Sequence, residues 1–184
     1  MQLDYKAAQE ILDKSSILYT KDEISKEVHK IAKAIEEEIK GDIPVFLSVM
    51  NGGLFFTSEL LQNINSPFVL DYIHASRYGG ETFGASHITW YRQPKAEDIK
   101  GKNVYIIDDI LDEGHTLVEI ARYLKSIGAL SCKIVVLINK EIGKTKPIKA
   151  DFVGLNAPNK FLFGCGMDIF GLYRQIPNIC VYNK

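Results

Sequence analysis

Ile24, Val28, Ile31, Ile35 and Ile39 recur at steps of three or four residues, the spacing of one face of a helix. Thr20-Lys21-Asp22-Glu23 supplies its start. This is a capping box, in which the Thr hydroxyl and the Glu carboxylate satisfy amides that a first turn leaves open. Gly41 supplies a stop. The period then changes. Residues 44–50 form a short apolar run rich in β-formers, Asn51-Gly52-Gly53 breaks it, and Leu54 to Leu61 returns to a helical pattern. Phe68 to Ile73, Asn103 to Ile107 and Ile134 to Ile138 read as strands. Between the last two, Leu117 to Ile127 reads as a helix with Leu117, Ile120, Leu124 and Ile127 on one face and Gly128 at its end. Ile179 to Tyr182 is a last short strand. Strands alternating with helices predict an α/β fold, a mainly parallel twisted sheet flanked by helices. No repeat or linker interrupts it. The expectation is a single domain over 1–184.

From Ala75 to about Asp98 the periodicity fails. Gly79, Gly80, Gly84 and Pro94 are mixed there with aromatics and charges. A loop of this length in a compact domain is a candidate lid; the plain alternative is a long hairpin without a role.

Composition narrows the function classes. With 184 residues, 46% of them hydrophobic, the chain can bury a substantial core. A net charge of -1 gives no electrostatic footprint for nucleic acid. No apolar run is long enough to span a bilayer, and Met1 to Lys6 lacks the apolar stretch of a secretory signal. Cys132, Cys165 and Cys180 are odd in number and form no Cys-x-x-Cys pair, which points to free thiols in a reducing, cytoplasmic setting. His29, His74, His87 and His115 show no metal-ligand spacing. Gly143-Lys144-Thr145 lacks the upstream glycine of a phosphate loop.

The chemistry concentrates in residues 104–116. An apolar strand ends in Asp108-Asp109, then a turn containing Asp112, Glu113 and Gly114 leads to His115-Thr116 and a helix. Ligands of α/β proteins bind at the carboxyl ends of parallel strands. A helix start offers open amides and partial positive charge to a phosphate, Gly114 lets the backbone come close, and Thr116 adds a hydroxyl. Two carboxylates beside a phosphate repel it unless sugar hydroxyls or a divalent cation engage them. A phosphorylated sugar bound with magnesium satisfies both halves. The competing reading is that Asp108 and Asp109 only cap the turn.

Ile106 to Thr116 resembles the phosphoribosyl-pyrophosphate signature of the type I phosphoribosyltransferases, and Asp109-Ile110-Leu111-Asp112 resembles their hypoxanthine-guanine branch. The resemblance extends over roughly residues 10–182. It takes in Met50-Asn51-Gly52-Gly53 as the first loop and Arg77-Tyr78 as the flexible-loop pair. Asp151-Phe152-Val153-Gly154 with Phe161 to Arg174 resembles the C-terminal hood. It implies a core at about 20–150 and a small hood at about 151–184 joined by the N-terminal segment. The activity it implies is transfer of phosphoribosyl from phosphoribosyl pyrophosphate to hypoxanthine or guanine, with Mg2+ and in a homodimer or homotetramer. It implies Asp112 as the general acid/base group at purine N7. Asp108 and Asp109 would meet ribose hydroxyls and, with Asp168, magnesium. The amides of Glu113, Gly114, His115 and Thr116 would hold the 5-phosphate. Asn51, Gly52 and Arg174 would face pyrophosphate. Lys140 would donate to the purine 6-oxygen, Phe161 would stack on the base, and the Leu162 carbonyl would accept from guanine. By position alone Lys140 is a surface charge and Phe161 a core aromatic; the resemblance is what gives them roles. Two departures stand out: Asn51 replaces a frequent lysine, and Arg77 a frequent serine. Two alternatives remain open: a regulator that senses phosphoribosyl pyrophosphate, and an enzyme of the same class that prefers xanthine.

Overall fold

The computed structural model describes residues 4–77 and 88–183. In chain order the elements are α1 (Tyr5–Asp13), β1 (Ser15–Tyr19), α2 (Lys21–Glu38), β2 (Val45–Met50), α3 (Gly53–Leu61), β3 (Val69–Arg77) and β4 (Ile88–Arg92). There follow α4 (Ala96–Ile99), β5 (Asn103–Leu111), α5 (His115–Ser126), β6 (Ser131–Glu141), β7 (Phe152–Pro158), β8 (Leu162–Phe163) and β9 (Ile179–Tyr182). The capping box forms as read: Thr20 Oγ1 accepts from the Glu23 amide, and Glu23 Oε2 accepts from the Thr20 amide.

Six strands make the large sheet in the order β4-β3-β2-β5-β6-β7, parallel throughout except at β3–β4. Alternation of side chains sorts its apolar residues onto two faces. Phe46, Tyr105, Ile107, Val135 and Leu137 pack with Ile24, Val28, Ile31, Ile35 and Ile39 from α2 and its end, and with Phe56 and Leu60 of α3. Val45, Leu47, Val49, Val104, Ile106, Ile134 and Val136 pack with Leu117, Ile120 and Leu124 of α5. Both faces are covered, so β2, β5 and β6 read as unbroken apolar runs. Burial of each such side chain stabilises the fold by about 1.5–3 kcal/mol.

Strand order reverses between β2 and β5. The chain leaves β2 toward β3 on one side, and from β5 builds outward to β6 and β7 on the other. Such a switch point opens a crevice at the strand carboxyl ends, here between the segment after Met50 and the end of β5.

Three expectations are corrected. The apolar pattern undercounts β5, which continues through Asp108 and Asp109 to Leu111 because its partner β6 runs alongside it to Asn139. The acids are therefore strand residues and not caps of a turn. The stretch from Ala75 is not wholly irregular: β3 runs to Arg77, and β4 returns antiparallel to it with Arg77 opposite Ile88. Arg92 is tied down there, its guanidinium 2.6 Å from Asp71 Oδ1 and over the Tyr72 ring. Tyr78, expected on a lid with Arg77, lies outside the described residues. Phe152–Pro158 does not belong to the small unit expected from 151 onward. It is the edge strand of the large sheet, held by pairing to β6 and by Asp151 Oδ2, which accepts from the Ile134 amide at 2.7 Å. Before Thr20, the N-terminal segment forms α1 and β1.

A second sheet, β1-β9-β8, is antiparallel. Ile11, Phe163, Ile169 and Cys180 form its own small core, and the Tyr173 hydroxyl donates to the Ala8 carbonyl at 2.6 Å. This sheet and the loops beside it carry Phe161, Leu162, Asp168 and Arg174 up to the crevice.

Candidate functional site

A cleft of about 580 Å³ lies at the switch point. Its lining includes Asn51, Gly52, Asp108, Asp109, Asp112, Glu113, Gly114, His115, Thr116, Lys140, Phe161, Leu162, Asp168 and Arg174. Every candidate read from the sequence is among them apart from the Arg77 side chain and Tyr78, which lie outside what the structure describes.

The floor is built by close approach. A Cβ on Gly52 would fall 2.1 Å from Asp109 Oδ2, and one on Gly166 would fall 2.0 Å from the Gly52 carbonyl oxygen. Both distances are far inside contact, so these glycines let the loop after β2, the end of β5 and the 164–174 segment meet at one point. Gly166 also sits at φ 101°, a conformation that favours glycine. The Met50–Asn51 peptide is cis.

Asp108 and Asp109 lie side by side on this floor, Asp109 only 7% exposed. The Asp109 amide donates to Asp108 Oδ1 at 3.0 Å. Burial pushes both carboxyl pKa values up, and for Asp108 the neighbouring Asp109 charge pushes further. The Asp108 hydrogen bond and the Arg174 guanidinium partly offset burial at Asp109. A raised folded pKa means that, above the ordinary carboxylate value of 3.8, the folded chain holds more protons than the unfolded one. Stability therefore falls as pH rises through the window between 3.8 and the raised value. Asp108→Asn relieves the repulsion. Its free protein is expected to melt above the parent at about pH 8, with the gap narrowing toward about pH 5. Calorimetric melts at both pH values check this; a gap independent of pH would assign the gain to something other than charge.

Beyond β5 the chain turns through Asp112 and Glu113 to Gly114, at φ 86°, which caps α5 with no side-chain hydrogen bond. The amides of the first turn of α5 are thus left for a ligand. Across the turn, at the end of β6, Lys140 Nζ donates to Asp112 Oδ2 at 2.9 Å. Lys140 lies within β6 and not after it. Its side chain is 14% exposed, that of Asp112 46%. Phe161 is 44% exposed at the mouth, near-parallel to Phe170 at 6.1 Å between centroids, so it is a surface ring and not a core aromatic. On the far wall Arg174 bonds the Asp168 carboxylate and the Gly166 carbonyl, and Asp168 Oδ2 accepts from the Gly171 amide at 2.7 Å.

Among the described residues no three His, Cys, Asp or Glu side chains stand close enough to hold a metal by themselves. Asp108, Asp109 and Asp168 therefore do not make a ready cage. The sequence reading missed His74, Ser76 and Met167, which also line the cleft, and it missed Gly166. Only the Gly-x-Gly at 164–166 could have signalled the last, as a segment where backbones meet.

The cleft and fold have counterparts. A phosphoribosyl transferase domain family matches residues 14–169. Hypoxanthine-guanine phosphoribosyltransferase of Bacillus subtilis is 34% identical over 172 residues, covering 92% of this chain and 93% of that protein. The enzyme of the same name from Streptococcus pneumoniae is 31% identical over 172 residues, covering 94% and 95%. Among solved structures, a hypoxanthine phosphoribosyltransferase from Staphylococcus aureus superposes with a TM-score of 0.85 at 26% identity, covering 98% of this chain and 96% of that one. One from Trypanosoma cruzi, in complex with the product IMP, gives 0.81 at 32% identity, covering 90% and 92%. The mainly parallel sheet, the acid pair at its switch point and these matches along nearly the whole length agree: the chain belongs to the type I phosphoribosyltransferases, in their hypoxanthine-guanine branch.

Proposed function

We propose that the cleft transfers the 5-phosphoribosyl group of phosphoribosyl pyrophosphate to hypoxanthine or guanine, giving IMP or GMP and pyrophosphate. The observation that carries this reading is the Asp112–Lys140 pair at 2.9 Å, set beside the uncapped start of α5 and above the acid pair of the floor. A 6-oxopurine presents N7 and the 6-oxygen on one edge. Asp112 takes or returns the proton at N7, and Lys140 donates to the 6-oxygen, an acceptor that adenine's amino group does not supply. Phe161 covers the face of the base, and the Leu162 carbonyl accepts from the amino group of guanine.

The amides of Glu113, Gly114, His115 and Thr116, with the Thr116 hydroxyl, hold the 5-phosphate. Asp108 and Asp109 accept from the ribose hydroxyls. Asn51, Gly52 and Arg174 border the pyrophosphate. Magnesium suits this donor set, because it keeps most of its shell as water and phosphate oxygen and needs only one or two protein carboxylates. Asp108, Asp109 and Asp168 would hold it, and when bound it stabilises the charge of the departing pyrophosphate. The crowding of the two carboxylates, whose mutual repulsion a cation would relieve, supports that assignment.

The reading also places the enzyme in the cytoplasm as a homodimer or homotetramer. Three free cysteines support the first. No helix among the described residues is long and apolar enough to cross a membrane. Exposed Leu54 and Phe55 on α3 and exposed Val69, Leu70 and Tyr72 on β3 support the second, and light scattering measures it.

An absorbance assay with hypoxanthine, guanine, xanthine and adenine tests the substrate class. Turnover of the first two with magnesium is expected; turnover of adenine alone would overturn the role of Lys140. Lys140→Ala is expected to weaken hypoxanthine and guanine by about 1.5–3 kcal/mol, the worth of a hydrogen bond to a charged group. Phosphoribosyl-pyrophosphate affinity should change little. Isothermal titration against each substrate reads the split, and equal damage to both would refute it.

A further inference from the structure

Lys146 lies in the segment that follows β6, and the site described above does not use it. Its Nζ donates to the Leu111 carbonyl at 2.6 Å and to Asn139 Oδ1 at 2.9 Å. Leu111 and Asn139 are opposite each other in the β5–β6 register, the last such pair of the two strands. The next residue after Leu111 is Asp112, and the next after Asn139 is Lys140. Asn139 in turn donates to Asn156 Oδ1 at 2.8 Å, its own register partner on β7. One ammonium group thus ties together the carboxyl ends of adjacent strands immediately behind the two groups that meet the purine. The same segment covers the phosphate turn. A Cβ on Gly114 would touch Ile148 Cγ2 at 3.0 Å, Leu111 Cδ1 at 3.1 Å and Pro147 Cδ at 3.8 Å.

We propose that Lys146 is a positioning residue that fixes the separation of Asp112 and Lys140, and so matches the site to the N7 and 6-oxygen edge of a 6-oxopurine. The proposal rests on the purine roles given above. Its physical basis is leverage. Asp112 stands on a turn and is half-exposed, so its own packing cannot set its place. A charge-assisted hydrogen bond to the carbonyl one residue earlier does so, and the second bond ties that carbonyl to the strand bearing Lys140. The charged groups facing Lys146 are Asp112, which favours the ammonium, and Lys140, which opposes it. Burial also opposes it, so the group is held at a cost that a loop anchor in open solvent would avoid.

Lys146→Met keeps the aliphatic stem and removes the donors. Steady-state kinetics with each substrate varied is the test, with Lys146→Arg as the conservative variant and Lys140→Ala beside it. Expected for Lys146→Met is a loss of about 10- to 100-fold in kcat/KM for hypoxanthine and guanine, the scale of a misplaced reacting group. The KM for phosphoribosyl pyrophosphate should stay within about twofold, and Lys146→Arg should recover most of the loss. Kinetics of Lys146→Met within about twofold of the parent would overturn the proposal. So would equal damage to both substrates with a lowered melting temperature, since that marks a loop anchor and nothing more. If Lys140→Ala leaves purine KM unchanged, the purine reading itself fails; if Lys140→Ala impairs purines and Lys146→Met does not, only the role of Lys146 fails.

Discussion

Asp112→Asn is expected to lower kcat by about 10²–10⁴, the range for loss of a general acid/base group, while phosphoribosyl pyrophosphate still binds. The amide keeps the shape of the side chain and its contact with Lys140, but it cannot exchange the N7 proton at neutral pH. The fold should change little, because Asp112 is 46% exposed and the amide still offers an oxygen to Lys140. Lys140 loses its counter-ion in the variant and keeps an oxygen acceptor. Single-turnover measurement with hypoxanthine isolates the chemical step from product release. A variant within about threefold of the parent in that measurement would remove Asp112 from the proton path.

Gly52→Ala is expected to cost at least about 10² in kcat/KM for phosphoribosyl pyrophosphate. The added methyl would lie 2.1 Å from Asp109 Oδ2 and 2.6 Å from its Cγ, so either the loop or the carboxylate must move. Asp109 is buried on the floor and Gly166 closes over the Gly52 carbonyl, which leaves neither a free direction. The displacement falls on the groups proposed above to face the ribose and pyrophosphate. The purine side should suffer less, because Asp112 on the turn after β5 and Lys140 on β6 stand beyond the contact. Equilibrium binding of phosphoribosyl pyrophosphate with magnesium checks the effect, and unchanged affinity would mean that the loop yields without consequence.

The core was legible because its physics is local. Ile24 to Ile39 show a helical period whatever they pack against, and β2, β5 and β6 are apolar on both faces because both faces are covered. The acid-turn-glycine string was legible as chemistry for the same reason, since a strand end, two carboxylates and a helix start are neighbours in sequence. What the pattern hid depended on distant partners. β5 continues through its acids only because β6 pairs with it to Asn139. α1 and β1 are short and polar on one side, and their partner β9 lies at the other end of the numbering. The segment after Ala75 mixes glycines with aromatics, and its strand character comes from β3–β4 pairing that no single-strand period reveals. Lys146 carried no signal at all: a lysine between threonine and proline is ordinary until the carbonyl it meets, from residue 111, is in place.

Pairing of β1 with β9 has a consequence for the order of assembly. Ser16 and Asn183 meet across 167 residues of sequence, whereas β2, β3 and β5 find their partners within a few tens. Long-range closure costs more chain entropy and comes late in folding. On a ribosome, β1 emerges early and waits until β9 has been synthesised before it can enter its sheet. The wall bearing Phe161, Asp168 and Arg174 is completed with that sheet, so the nascent chain acquires the acid floor of the cleft before the wall that faces it. A chain that has not yet reached β9 therefore has the strands of the parallel core without the second sheet that completes the cleft.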